Sequence, residues 1–542
     1  MTDAPANGSG VNRPNAVPTD VPDRKPRATA SEGPTADTTI LAKSSSRPTG
    51  DIDPTGRDSL RGGVLITASK FVVVVVGLAG TAVLARVLHP ADFGLVAKVT
   101  ALTGLVNLLS ETGTAIAIVQ APSLSQRQRS AFFWCNSAVA LLLAILLAIV
   151  SPFISAFYGD TRVLTISLAI AVAVGVRCVG VVPMSLLRRE RRFGTLAAIQ
   201  VTATSLSIAT AIGLSGVLGF WALVIQVVVL SVANTLLAIA VAGGLPPILF
   251  RGAGIRRQFN LGMGFNASAA INYFSRNLDN ILIGKFIGEV ALANYTKAYG
   301  LLMLPLSQIA QPISQVAVPT LSRLQDRPDE YRRQFLTGAS LSFLVQIPAA
   351  VFVACAAEPM VLTMLGDQWT DAVPIFYALA PAVLVSTTAP GSYWIVPSLG
   401  LAGRQFWLVC INTTAIVAAI TIGLRYGVIG VAYGFSVASV LMRYPSLCYS
   451  MKPSPVGVHE FLATGLVPLA ASVIAGASCM GAAAPWEPTT APIALVYRGS
   501  VFITVYVACV MRTSPGRQAW AMTRRHLLPK LPGRLAGWSS SS

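Results

Sequence analysis

The stretch VLITASKFVVVVVGLAGTAVLARV, residues 64–87, decides what kind of protein this is. Its charges are Lys70 and Arg86, with small and apolar residues filling almost all the rest. At about 1.5 Å per residue a helix of that length covers roughly 36 Å, enough to cross a hydrocarbon layer about 30 Å thick. Comparable runs follow at 94–118, 131–155, 163–186, 195–214, 217–241, 262–285, 290–317, 335–356, 372–396, 405–424, 428–447, 460–481 and 491–511. Within lipid such segments must satisfy their own backbone groups, which makes them helices. The expectation is an all-α polytopic membrane protein with about fourteen transmembrane helices.

Composition supports this and removes other classes. Charged residues make up 11% of the 542-residue chain and mean hydropathy is +0.65, whereas soluble proteins carry roughly 25% charged residues. The net charge of +18 is gathered in short clusters between apolar runs and in the tails. No basic surface interleaved with aromatic residues is visible, so nucleic acid is not an expected partner. The seven cysteines are scattered singly and the three histidines are dispersed. Neither a disulfide framework nor a metal site is expected, and no cofactor is implied.

Residues 1–60 are rich in Pro, Ser, Thr, Asp and Gly, and read as a disordered extension. No cleavable signal peptide is visible ahead of the first apolar run. Basic clusters fall on alternate loops: Arg127 and Arg129, then Arg188 to Arg192, Arg251 to Arg257, Arg323 to Arg333, and Arg404, Arg443 and Lys452. The positive-inside rule then puts both termini in the cytoplasm, the basic tail 512–542 included.

An internal repeat is also legible. LARVLHPADFGLVAKV (84–99) resembles LIGKFIGEVALANYTKA (282–298), and at one common offset Arg86 and Lys98 fall on Lys285 and Lys297. Six spans separate the copies, so both have the same orientation, a parallel repeat of the kind that places a transport site between two halves.

Charged residues inside spans cost about 2.5–3.5 kcal/mol each on insertion scales and call for a reason. In NASAAINYFSRNLDNILIGKF (266–286), Ala269, Asn272, Arg276 and Asp279 recur at three- and four-residue steps, giving one polar stripe. It reads either as a structural Arg276–Asp279 pair or as the wall of a charged cavity. Asn107, Glu111 and Thr114 share a face of the second span, where Glu111 suits a cavity or a solvated cytoplasmic end. Lys98 lies off that face and fits a cavity or a snorkelling position near the outer interface. Lys297, Gln308, Gln311 and Gln315 run along one side of the eighth span, with Pro305, Pro312 and Pro319 expected to kink it. Lys70 and Arg177 lack a surrounding polar stripe and fit helix packing as well as a cavity. Catalytic arrangements are missing: the sequence holds no P-loop and no Ser/His/Asp or paired-carboxylate set on an aqueous loop, so no enzyme is expected.

The stretches ARVLHPADFGLVAKV (85–99), LLSETGTAIAIVQ (108–120), RRERRFGTLA (188–197), LDNILIGKFIGEVALANYTKAYGLL (278–302) and PISQVAVPTLSRLQD (312–326) resemble the polysaccharide transporter, or O-antigen flippase, branch of the multidrug/oligosaccharidyl-lipid/polysaccharide exporter superfamily. The resemblance implies two pseudo-symmetric six-helix lobes, 61–250 and 251–455, followed by two added helices in 456–511. It also implies a bacterial cytoplasmic membrane and a polyprenyl-pyrophosphate-linked oligosaccharide turned from the inner to the outer leaflet. Membrane lipids, a polysaccharide polymerase and export machinery are the partners that go with it. A cationic wall of Arg276 and Lys297, with Lys70, Lys98 and Arg177 as further candidates, would attract the pyrophosphate. A peptidoglycan-precursor flippase and an ion-coupled multidrug exporter are the rival transport readings, and a membrane enzyme of glycan assembly is the rival of another class. Which glycan is carried, and whether an ion gradient drives transport, is not written in the sequence. The topology has a direct check: a single cysteine introduced at Gly159 should react with an impermeant reagent outside the cell and one at Gly194 should not. The reverse pattern would overturn the orientation.

Overall fold

The computed structural model describes residues 56–120, 123–248, 273–274, 277–486 and 490–513, and all regular structure among them is helical. The first group comprises α1 (Gly56–Val87), α2 (Pro90–Gln120), α3 (Gln126–Tyr158), α4 (Arg162–Arg189), α5 (Phe193–Leu218) and α6 (Trp221–Val241). The second runs from α7, described over 277–286, through α8 (Glu289–Ser322), α9 (Pro328–Cys355), α10 (Ala357–Met364) and α11 (Ala372–Ser386). It continues with the single turns α12 (Pro390–Tyr393) and α13 (Ile395–Ser398), then α14 (Ala402–Gly423) and α15 (Gly427–Met451). After these come α16 (Val458–Ala463), α17 (Leu466–Trp486) and α18 (Ala491–Met511).

Local chemistry fixes the ends. At α3 the Ser125 hydroxyl accepts from the Gln128 amide and the Gln128 side chain accepts from the Ser125 amide, a reciprocal cap that satisfies two otherwise orphaned donors. The same helix stops at Gly159, whose φ of +69° is a left-handed conformation that glycine takes without a Cβ clash.

Packing sorts the helices into two groups. Helix α4 lies against α2, α3 and α6, and α5 against α6. In the second group α8 lies against α9, α11 and α15, α14 against α15, and α17 and α18 against each other and against α9 and α10. Helices α4 and α9 are the central ones: 56% and 50% of their apolar windows are buried, against 17–28% for α1, α3, α5 and α6. The rest of the apolar surface faces outward, as on α3, where Leu142, Leu146, Ile149 and Phe153 form an exposed stripe suited to lipid. The two groups meet along α2 and α8, the helices that carry the two copies of the repeat.

Several expectations are revised. Among the described residues ten helical stretches are long and apolar enough to cross a membrane, or eleven if a bent pair counts as one. Fourteen were expected, and the difference has three sources. The α2 and 262–285 segments are described only in part, and Gly403–Met451 is one continuous apolar stretch holding two helices. The span expected at 372–396 bends by 43° between α11 and α12–α13, whereas that at 460–481, although divided between α16 and α17, is counted whole as Val458–Gly481. Helix α8 is continuous over Glu289–Ser322 with its three prolines inside it, which leaves the expected kink an expectation. Helix α1 begins at Gly56, inside the segment expected to be disordered.

The α14–α15 hairpin depends on missing side chains. A Cβ on Gly423 would stand 2.4 Å from the Gly430 carbonyl oxygen and one on Gly434 2.6 Å from that of Ala419, so the two backbones approach too closely for anything but glycine. Gly434→Leu should therefore lower thermal stability in detergent by about 1–3 kcal/mol. Gly403→Ala, with nothing within 4 Å of its new methyl, should leave it unchanged. Equal melting temperatures for the two variants would remove the packing argument.

Candidate functional site

Helices α2 and α8 come together because Gly94 has no side chain: a Cβ there would lie 1.8 Å from the Glu289 carbonyl oxygen. Beside this crossing Phe93 stands edge-on to Trp369, with ring centroids 5.4 Å apart. Trp369 is wholly buried and its indole N–H donates to the Ala85 carbonyl at 2.9 Å. Inter-group contacts gather at the end of the molecule that carries the α1–α2, α3–α4 and α7–α8 turns, and a further one lies deeper, where the Tyr273 hydroxyl donates to the Thr100 and Ala101 carbonyls. Among the described residues the polar contacts at the other end stay inside one group, for example Arg129 to Glu190 and Gln325 to Ser398. Among the described residues one end is therefore closed, and the opposite one, called open, shows no inter-group polar contact.

Just inside the closed end lies a cavity of about 370 Å³, walled by α1, α2 and α6 on one side and by α7 and α8 on the other. Its polar lining is Thr81, Thr100, Gln226, Asn277, Asn280, Thr296 and Lys297. The Lys297 ammonium sits 4.1 Å from the Phe93 ring centroid, a cation–π contact worth about 0.5–2 kcal/mol. Among the described residues it has no ion-pair partner. The buried Oδ1 of Asn280 has no hydrogen-bond partner there either. Among the described residues, the cavity thus presents a cation with no ion-pair partner, and Asn280 nearby in its lining carries an unused acceptor.

Four charges seal the closed end. Lys98 Nζ lies 3.3 Å from Glu289 and 3.9 Å from Asp160, and Arg162 lies 3.1 Å from Glu289 and 2.8 Å from Asp160. Two cations and two carboxylates cancel, which makes burial tolerable. Hydrogen bonds from Arg162 hold the Asp160 carboxyl below the usual carboxylate range. Its contribution to stability is therefore full at neutral pH and is lost as pH falls through that lowered value.

The candidates drawn from the sequence separate into groups. Lys297 lines the cavity. Asp279 is buried, and it accepts from the Tyr295 hydroxyl at 2.8 Å and from the Asn280 amide. Arg276 and Asn272 lie outside the described residues, as does the Glu111 side chain on α2. Lys98 corrects the snorkelling alternative: it is 6% exposed and ion-paired. Gln308 and Gln311 are exposed on the face of α8 that continues from Lys297 toward the open end, beyond the cavity itself. Lys70 is exposed on α1, three turns from Thr81 and on its side of the helix, whereas Arg177 is exposed on α4 away from the cavity lining. The sequence reading missed Glu289, Asp160, Arg162 and Asn280. Two of them had a signal. Glu289 stands where the repeat copies differ, opposite Pro90. Asp160 follows Gly159 in FYGDTR (157–162) as Asp367 follows Gly366 in MLGDQW (364–369).

Comparisons with known proteins bear on the family and the fold. The family described as "Polysaccharide biosynthesis protein" matches residues 83–374, more than half of the chain. The teichuronic acid biosynthesis protein TuaB of Bacillus subtilis (strain 168) is 25% identical over 357 residues, 65% of this chain and 74% of its own. The succinoglycan biosynthesis transport protein ExoT of Rhizobium meliloti (strain 1021) is 22% identical over 343 residues, covering 63% and 69%. The solved structure of the lipid II flippase MurJ in an inward closed conformation shares the fold, with a TM-score of 0.65 at 15% identity, covering 86% of this chain and 100% of that one.

A mutant cycle tests the sealing cluster. Breaking a fully buried pair costs about 3–5 kcal/mol, and the cost here should be smaller because Arg162 still faces Glu289. Lys98→Met and Glu289→Gln should each lower the melting temperature in detergent, and the double variant should lose less than their sum. Strict additivity would dismiss the pairing.

Proposed function

The chain belongs to the polysaccharide biosynthesis protein family, and from that premise we propose that it turns a polyprenyl-pyrophosphate-linked oligosaccharide across the bacterial cytoplasmic membrane for surface polysaccharide export. The observation that carries this reading is Lys297, a cation with no ion-pair partner among the described residues, on the wall of an inter-bundle cavity whose other polar groups are amides and hydroxyls. A pyrophosphate offers several anionic oxygens to such a cation, and sugar hydroxyls match Asn277, Asn280 and Gln226. Arg276, four residues before the cavity-lining Asn280 in sequence, is proposed as the second cation. A cavity of about 370 Å³ falls at the small end of the range for bound small molecules, roughly 300–1,000 Å³. It suits a headgroup with its first sugar, the rest of the glycan extending past Gln308 and Gln311 through the open end while the prenyl tail stays in lipid.

With both termini in the cytoplasm, the open end faces the cytoplasm and the closed end faces outward, the state that accepts substrate. Rocking of 61–250 against 251–455 about the α2–α8 contact would expose the same cavity on the other side without a chemical step. A transporter, not an enzyme, is the reading that the family and the relatives' names support. A polysaccharide polymerase and export machinery would take the product. A multidrug exporter fits less well, because an organic cation would meet Lys297. The likeness to the lipid II flippase is one of fold.

Lys297→Gln should cut outer-leaflet accumulation of the lipid-linked oligosaccharide by about tenfold or more in cells lacking the native protein, with protein level unchanged. A hydrogen bond to a charged group is worth about 1.5–3 kcal/mol, which sets that scale. Arg276→Lys, which keeps charge but loses the planar fork, should transport less well at normal level. If Lys297→Gln and Arg276→Ala both express and transport normally, the cationic site is wrong.

A further inference from the structure

We propose that Arg86 and Lys285 form a two-part latch on the closed end, each cation of one helix group seated on the terminal carbonyls of a helix in the other. Arg86 ends α1, and its Nη2 donates to the Thr363 carbonyl, 2.7 Å away in the last turn of α10. Lys285 ends α7, and its Nζ donates to the Phe157 carbonyl in the last turn of α3. The two cations are the matched positions of the sequence repeat. The two helix ends they reach are followed by the matched Gly159-Asp160 and Gly366-Asp367 pairs, and both glycines have positive φ. The same kind of contact is therefore made twice, once from each helix group, by cations at matched positions of the repeat.

Physical chemistry suits these contacts to opening. The last carbonyls of a helix lack amide partners and carry the negative end of its dipole, so a cation is a good ligand for them. Both cations are exposed, so on opening water can replace each lost partner and no buried charge is stranded. Because the halves are equivalent, one rotation that separates α2 from α8 releases both together. The sealing cluster of Lys98, Asp160, Arg162 and Glu289 lies at the same end, Asp160 following the α3 terminus that Lys285 reaches. The inference rests on the proposed transporter reading for its direction, but its test uses no substrate.

Thr100 lines the cavity and is exposed within it. In intact cells Thr100→Cys should react slowly with an impermeant thiol reagent, measured above the labelling of protein with Thr100 intact. Adding Arg86→Gln or Lys285→Gln should raise that rate by about fivefold each, the shift expected when one solvent-exposed hydrogen bond of ordinary net strength is exchanged for water, and by more together. Arg86→Lys and Lys285→Arg should keep the rate low at normal protein level. Arg404→Gln removes the same kind of contact inside one group, Arg404 to the Tyr449 carbonyl at 2.7 Å, and should leave the rate unchanged. Unchanged rates in both latch variants, a rise in only one, or an equal rise with Arg404→Gln would overturn the latch. A latch that behaves as stated in a protein that moves no lipid-linked oligosaccharide would instead count against the proposed function alone.

Discussion

A helix that ends in or near a bilayer leaves carbonyl oxygens with no amide to receive and little water to replace it. This chain meets that constraint with long cations from other helices. Arg189 donates to Ile118 at the end of α2, Arg192 to Val241 at the end of α6, Arg404 to Tyr449 near the end of α15, and Arg498 to Cys355 at the end of α9. Each bond joins segments far apart in sequence, so each does two tasks at once: it satisfies a terminus and it fixes where a neighbouring helix lies. Arg86 and Lys285 use the same chemistry across the boundary between the helix groups, where the bond must also be breakable. The basic residues thus have a structural use beyond setting orientation.

Much of the fold was legible because lipid leaves few choices. Residues 64–87 could be little else than a span, and the Arg86/Lys98 and Lys285/Lys297 register suggested a parallel repeat, though not that α2 and α8 are the helices that meet. Less visible was anything decided by a long-range approach. The break between α11 and α12 and the division at Thr464 and Gly465 depend on how neighbouring helices leave room, and hydropathy averages over such breaks. Likewise the closeness of Gly94 to Glu289 has no local signature, since a glycine inside an apolar run reads the same whether or not another backbone lies against it.

The site divides along the same line. Lys297 was found because a cation on a polar face of a span is expensive and therefore conspicuous. Lys98 was equally conspicuous, but its role came out differently: Asp160 and Glu289, distant in sequence, turn it into a closure. Repeat-related lysines thus hold unlike positions in this state, one sealed by carboxylates and one facing open space. Part of that asymmetry lies in position 90 being Pro where position 289 is Glu. Glu289 is thus one of the differences between the repeat copies that give Lys98 a carboxylate partner.

Helix α8 has a property that follows from its three prolines and not from its side chains. Pro305, Pro312 and Pro319 have no amide hydrogen, so the carbonyls of Leu301, Gln308 and Gln315, one turn earlier, cannot receive the bond a helix normally supplies. The seven-residue spacing repeats these vacant acceptors every two turns, in line with Lys297. A glycan passing that way would meet a row of main-chain oxygens as well as glutamine amides. Main-chain acceptors read hydroxyl donors without regard to which sugar bears them and survive any side-chain replacement nearby. A path of that kind would let the machinery accept a new polymer repeat without being rebuilt.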